Sequence, residues 1–353
     1  MNTLFILGNG FDINLGLRTR YQDFYNVYSK SHSPHDSVMK LKEHIGKNTD
    51  GYWSDLELAL GDYTNEFKCT EDFDEVIDDI RTSLSSYLGK VETEFSEYSI
   101  DTEILLHDLN EFEEYLIPTD QDKILEFKEK FINSNWLTNI VNFNYTNIVE
   151  NIIENIDGDI IGNHPNSNLT NRQAHVLNKN IVHIHGLVGD GMILGVNDLS
   201  QVSNTDLHNN IDIEESIIKS KCNEANGEKS DLYFNQRIEK ANIICAFGLS
   251  FGNSDKIWWE KIGEKLRQGC ILIIFDRKYN ISKLEKHKLA RLRREIKSHF
   301  LGQTGLDENT QKSIIDNIFI GINTSMFQNI ASKKKETGDI QQFGTPIIHI
   351  KQA

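Results

Sequence analysis

The residues with the most chemical potential stand at the ends of apolar runs. Leu4-Phe5-Ile6-Leu7 leads straight into Gly8-Asn9-Gly10-Phe11-Asp12, and the run 137–143 leads into Asn144-Tyr145-Thr146. Ile181-Val182-His183-Ile184 ends at His185-Gly186, the run 242–247 at Gly248-Leu249-Ser250, and the run 270–275 at Asp276. A glycine turn after a strand lets the backbone approach a ligand closely, and free N–H groups at a following helix start suit a phosphate. An imidazole whose ordinary pKa is near ~6.5 suits proton transfer at neutral pH. Glycines, amides, one imidazole, a hydroxyl and a carboxylate together are the composition of a nucleotide site with a single acid–base group.

Each of these residues also has a plainer reading. The glycine spacing departs from Gly-x-Gly-x-x-Gly, because the third glycine, Gly16, follows Gly10 by six residues. Asn144 equally suits a turn, while Asp12 and Ser250 suit helix caps. Asp276 stands where a ribose hydroxyl would fit. His183 and His185 lack a carboxylate or cysteine partner at metal spacing, so no metal site is expected, and His183 reads as a packing residue or one bonded to the backbone. Trp53, Asp55 and Glu57 are candidates to close the site from a distant part of the chain.

Apolar runs alternating with helical patterns imply a parallel sheet, with ligands bound at the carboxyl ends of its strands. Leu4 to Leu7 are apolar without alternation, as in a strand buried on both faces. The pattern then turns helical for more than a hundred residues. Phe73, Val76, Ile77, Ile80, Leu84, Tyr87 and Leu88 form its cleanest stripe, and such stripes read as core. The expected division is a nucleotide-binding core of residues 1–18 plus 136–353 and an all-helical insertion of residues 19–135, read as a surface for regulation and assembly. Within the core, Asn147 and Glu150 can cap a helix, and Asn253-Ser254-Asp255 offer caps for another carrying Trp258 and Trp259. The Asn-rich stretch 163–171 reads as a loop, and 197–230 as a loop and helix covering a site. Met192 to Gly195 is a possible pairing segment. The run 270–275 reads as the last clear core strand, the run 283–297 as an amphipathic helix, and Pro346-Ile347-Ile348-His349-Ile350 as an edge strand.

The 353 residues are enough to bury a sizeable core, and 37 Lys and Arg against 53 Asp and Glu leave a net charge of −16. That balance disfavours sequence-independent binding to nucleic acid or a membrane surface. Lys333-Lys334-Lys335 is a short basic run of solvated-loop character. Cys69, Cys222, Cys245 and Cys270 show neither metal nor disulfide spacing, and no run reaches the ~20 apolar residues of a membrane span. A cytoplasmic location is expected.

These motifs resemble two nested families. Gly-x-Gly, Asn142-Phe143-Asn144-Tyr145-Thr146, His185-Gly186 and Gly-x-Ser, in that order, resemble the sirtuin-type NAD-binding fold. Gly8, Gly10 and Gly16 fall on the sirtuin glycines, Asn144 on its asparagine and His185 on its catalytic histidine. Leu7-Gly8-Asn9-Gly10-Phe11-Asp12, Trp53-Ser54-Asp55-Leu56-Glu57, Asn142 to Thr146, His185-Gly186 and the 250–255 segment are more closely similar to the bacterial abortive-infection family AbiH. The resemblance implies a sirtuin-like, Rossmann-type parallel sheet with a helical insertion after the first strand. It further implies an anti-phage abortive-infection effector that hydrolyses NAD to nicotinamide and ADP-ribose. The alternative is a non-catalytic module that senses NAD or ADP-ribose. His185 and Asn144 would be catalytic, and Gly8, Asn9, Gly10, Phe11, Asp12, Gly248, Ser250 and Asp276 would hold the nucleotide. NAD would be the substrate with no further cofactor, and the partner a second copy or another defence-system protein. Zinc is not expected, because the region just after His-Gly lacks the two Cys-x-x-Cys pairs of zinc-bearing sirtuins and holds only Cys222.

Overall fold

A computed structural model describes residues 1–48, 53, 55–167, 171–277 and 285–333. Its strands are β1 (Asn2–Leu7), β2 (Tyr98–Ile100), β3 (Trp136–Asn142), β4 (Ile160–Pro165), β5 (Arg172–Leu177) and β6 (Val182–His183). They continue with β7 (Ile243–Phe247), β8 (Ile271–Asp276), β9 (Ile318–Ile322) and β10 (Ala331–Lys333). An eight-stranded sheet runs β4-β5-β3-β1-β7-β8-β9, with β6 also on β3. Every pairing in it is parallel except β4 with β5. β1 lies at the centre, and Leu4, Phe5, Ile6 and Leu7 are buried on both faces, which explains their unbroken apolar run.

Register sets the site. Leu7 pairs with Asn142 on one side and Phe247 on the other, and Phe247 pairs with Phe275. Asn142 in turn pairs with His183. The residues after these pairs (Gly8, Asn144, His185, Gly248 and Asp276) therefore emerge together at one edge of the sheet. This is the Rossmann-like α/β arrangement expected from the alternation of runs.

Helices α1 (Gly10–Asn14), α2 (Tyr21–Tyr28), α3 (Asp36–Lys47), α4 (Leu56–Tyr63), α5 (Thr70–Phe95), α6 (Thr102–Asn110) and α7 (Pro118–Glu129) fill most of the segment between β1 and β3. Phe73, Val76, Ile77, Ile80, Leu84 and Leu88 of α5 pack with Tyr25, Trp53 and Leu60, as the stripe predicted. The segment is not all-helical, because β2 pairs antiparallel with β10 near the far end of the described chain. After β3 come α8 (Ile148–Ile153), α9 (Ile211–Ile217), α10 (Lys219–Ala225), α11 (Ser230–Lys240), α12 (Lys256–Arg267) and α13 (Lys286–Gln303). Leu292 and Ile296 of α13 are buried, as its amphipathic spacing predicts.

Three expectations are corrected. Asn163, His164 and Pro165 of the Asn-rich stretch belong to β4, paired antiparallel with β5, rather than to a loop. The run 270–275 is not the last core strand, since β9 extends the sheet in parallel to β8. Met192 to Gly195 forms no strand, although the Ile193 N–H donates to the His185 carbonyl at 2.8 Å. The edge strand expected at 346–350 lies outside the described residues, as does part of the Lys333-Lys334-Lys335 run. Among the described residues all four cysteines are free thiols, and no helix is long and apolar enough to cross a membrane.

Candidate functional site

A cleft of about 650 Å³ opens at the carboxyl ends of the parallel strands. Gly8, Asn9, Gly10, Asp12, Asn144 and His185 line it from the β1, β3 and β6 sides, and Gly248, Ser250 and Asp276 line it from β7 and β8. Phe11 does not. It is fully buried and meets Phe247 and Phe327 edge to face, so it belongs to the core beneath the site. An aromatic ring next to a glycine turn gains more from such burial than from facing water.

Three N–H groups of the glycine loop are taken by backbone carbonyls. Gly8 N–H donates to the Phe247 carbonyl at 2.9 Å, Gly10 N–H to the Gly248 carbonyl at 2.9 Å, and Phe11 N–H to the Gly8 carbonyl at 2.8 Å. The glycines also let two loops touch. A Cβ on Gly10 would lie 2.4 Å from the Gly248 Cα, a backbone collision with nowhere to relax. Asn9 ties the loop down by donating from Nδ2 to the Thr19 carbonyl at 2.8 Å.

Asp12 is fully buried beneath the cleft. Its Oδ1 accepts from Asn144 Nδ2 at 3.0 Å and its Oδ2 from Thr146 Oγ1 at 2.6 Å. Asn144 N–H donates to Asn142 Oδ1 at 3.0 Å, while its own side-chain oxygen is buried with no hydrogen-bond partner. Asp12 thus orients Asn144, and does not cap α1 by a side-chain bond. Burial pushes the Asp12 carboxyl up to about 7 against the lowering effect of Thr146 and Asn144, with Glu92 and Glu150 adding to the rise.

That shift has a sign. The folded protein keeps the Asp12 proton where the unfolded chain has lost it. The contribution is therefore complete below the unfolded value of 3.8 and is lost as pH rises towards about 7. Roughly three pKa units correspond to about 4 kcal/mol. Asp12→Asn can still accept from Asn144 and can donate to Thr146, so it removes the titration and keeps the geometry. Urea unfolding should give similar stabilities for the two proteins near pH 4. Near pH 8 the variant should be the more stable by several kcal/mol, and a difference independent of pH would refute the assignment.

His185 lies at the centre of a buried ionic cluster. Its Nδ1 faces the Phe143 carbonyl at 3.2 Å and its Nε2 faces Asp255 Oδ1 at 2.8 Å. Lys219 donates from Nζ to the same Asp255 oxygen at 2.8 Å and to Glu57 Oε2 at 2.7 Å. Tyr145 OH donates to Glu57 Oε1 at 2.9 Å. Burial alone would raise the Asp255 carboxyl, but Lys219 and His185 hold it well below the usual carboxylate range. Burial likewise opposes the charge on Lys219, yet Asp255 and Glu57 raise its pKa. Five separated parts of the chain supply this cluster, namely α4, the loop after β3, the segment after β6, α10 and the start of α12.

Gly186 completes the His-Gly pair for a steric reason. Its φ is +67°, and a Cβ there would lie 2.1 Å from the Gly191 carbonyl oxygen. Gly186→Ala should therefore lower the urea midpoint, with the left-handed backbone alone costing about 1–2 kcal/mol and the collision adding to it. An unchanged midpoint would show that the turn relaxes freely.

The remaining candidates separate. Trp53 is fully buried and donates from its indole to His44 Nδ1 at 3.1 Å, away from the cleft lining. Asp55 and Glu57 both line the cleft. His183 turns to the Asn144 carbonyl at 3.2 Å and to Glu150, which takes Glu150 away from the capping role expected of it. Asp255 makes no cap bond either, because His185 and Lys219 engage it. Lys219 was missed in the sequence because a single lysine in a polar stretch carries no pattern. Among the described residues no group of three or more His, Cys, Asp or Glu side chains is arranged to hold a metal.

A mostly parallel sheet, with amide, imidazole and carboxylate groups converging at its carboxyl strand ends, defines a Rossmann-like α/β protein. The family described as bacteriophage abortive infection AbiH matches residues 4–276, and the chain belongs to that family. Its membership implies a role in phage abortive infection. A search of curated proteins finds no match.

Proposed function

We propose that the chain cleaves the nicotinamide–ribose bond of NAD, releasing nicotinamide and ADP-ribose. In abortive infection, loss of NAD stops the phage by stopping its host. The observation that carries this reading is the seating of Asn144 and His185 in one cleft, each held by a carboxylate, the buried Asp12 and the partly buried Asp255 respectively. The order of motifs shared with sirtuin-type NAD-binding folds supports the substrate class, as does a volume within the range of small-molecule sites.

The chemistry suits such a site. Nicotinamide leaves as a neutral base, so no strong general acid is required. The ribose develops positive charge, which Asp55 at the cleft wall favours electrostatically, whereas the charges of Glu57 and Asp255 are paired with Lys219. Asn144, fixed by Asp12, orients the ribose and the attacking water. His185 fixes Asp255 and the Phe143 carbonyl on either side of its ring.

Incubating the purified protein with NAD and separating the products by chromatography tests the reading. Equal amounts of nicotinamide and ADP-ribose are expected, and intact NAD after prolonged incubation would overturn it. One observation favours a second reading, a sensor that binds NAD or ADP-ribose without turnover. Both His185 nitrogens face oxygen acceptors in this arrangement. Tight binding without products would establish that alternative.

A further inference from the structure

We propose that Asp55, rather than His185, is the group that takes the proton from the attacking water; this inference rests on the NAD-cleavage reading. Both nitrogens of His185 are already occupied. The Phe143 carbonyl faces Nδ1 at 3.2 Å and the Asp255 carboxylate faces Nε2 at 2.8 Å, so neither nitrogen is turned towards a water in the cleft. Lys219 holds the Asp255 oxygen in place, so that the carboxylate does not swing away from the ring without breaking a second contact.

Asp55 is placed differently. It lines the same cleft, at the N-terminus of α4, and is only partly buried. Its Oδ1 accepts from the Glu57 and Leu58 N–H groups, each at 3.2 Å, which locks the side chain by a helix cap. Its Oδ2 accepts no hydrogen bond among the described residues. This oxygen stands over the loop after β7, 3.3 Å from where a Cβ on Gly252 would sit, and the lack of one keeps the approach open. One oxygen thus anchors the carboxylate while the other is presented to the cleft. Burial, reinforced by the neighbouring Glu57 charge, raises the Asp55 carboxyl above its ordinary value, which makes it a stronger base.

The step balances simply. The C1′–N bond breaks and its electron pair leaves with nicotinamide. The water oxygen forms the new C1′–O bond, and its proton passes to Asp55 Oδ2, which returns it to solvent. The charge that Asp55 loses on protonation is no longer needed once the ribose cation has been quenched.

Asp55→Asn tests this in the full-length chain, because asparagine caps a helix as well as aspartate and should leave folding intact. The variant is expected to keep the wild-type urea midpoint and to bind NAD within a few-fold in calorimetry. Its hydrolysis of NAD should fall by about 10²–10⁴-fold. Azide is an anionic nucleophile with no proton to lose, and it should restore turnover of this variant as an azido-ribosyl product. Wild-type rates of hydrolysis by Asp55→Asn, or failure of azide to rescue it, would overturn the assignment while leaving NAD cleavage standing. Absence of NAD cleavage by the wild-type protein would overturn both.

Discussion

Replacing Asn144 with alanine is expected to lower NAD turnover by about 10²–10³-fold, the usual effect of removing one preorganised hydrogen-bonding group from a reacting centre. The variant also leaves Asp12 without the Nδ2 donor now 3.0 Å away, so about 1–3 kcal/mol of stability should go with it. Assays well below the unfolding midpoint separate the two effects. His185→Ala should lower turnover by at least a comparable factor, because it releases Asp255 from its 2.8 Å contact at the cleft wall. The double variant should be little worse than either single one, since groups that act as a unit are not additive. Wild-type turnover by a folded Asn144→Ala or His185→Ala protein would remove the catalytic reading of that residue.

Lys219→Met should be the most destabilising single change at the site. Lys219 is the cation between Glu57 and Asp255, at 2.7 and 2.8 Å, and all three side chains are largely withdrawn from water. Removing one partner of a buried ion pair costs about 3–5 kcal/mol, because the remaining charge keeps its desolvation penalty without compensation. Adding Glu57→Gln to Lys219→Met should recover part of the loss, since the amide can still accept from Tyr145 while one buried charge is gone. Urea titrations of the three variants read this directly. A loss below ~1 kcal/mol for Lys219→Met would show that water enters the cluster and screens it.

Most of the sheet and the edge where the site lies are legible from local pattern. The apolar run through Leu4 to Leu7 requires a doubly buried strand, and β1 is the central one. The stripe of Phe73, Ile77, Ile80 and Leu84 requires a helix packed along one face, which is how α5 lies. Glycines, Asn144 and His185 at the ends of successive apolar runs imply a common edge, because parallel strands in register bring their carboxyl ends together. Such patterns are local in sequence, so they are visible without the fold.

Partnership is a property of the fold alone. Asp12 meets Asn144 across 132 positions of chain, and Lys219 meets Glu57 across 162. No spacing rule connects residues so far apart, and a lysine in a polar stretch looks the same whether it is solvated or clamped between two carboxylates. The glycine loop shows the same limit from the other side. Its motif permits an anion cradle or a close contact between loops, and the contact is visible only in the position of Gly248, whose Cα would lie 2.4 Å from a Cβ on Gly10. Likewise a histidine before a glycine is compatible with a free base or a bound one. The Phe143 carbonyl and Asp255, brought to its two nitrogens by different strands and loops, decide which it is, because hydrogen-bonding capacity depends on what stands opposite each atom.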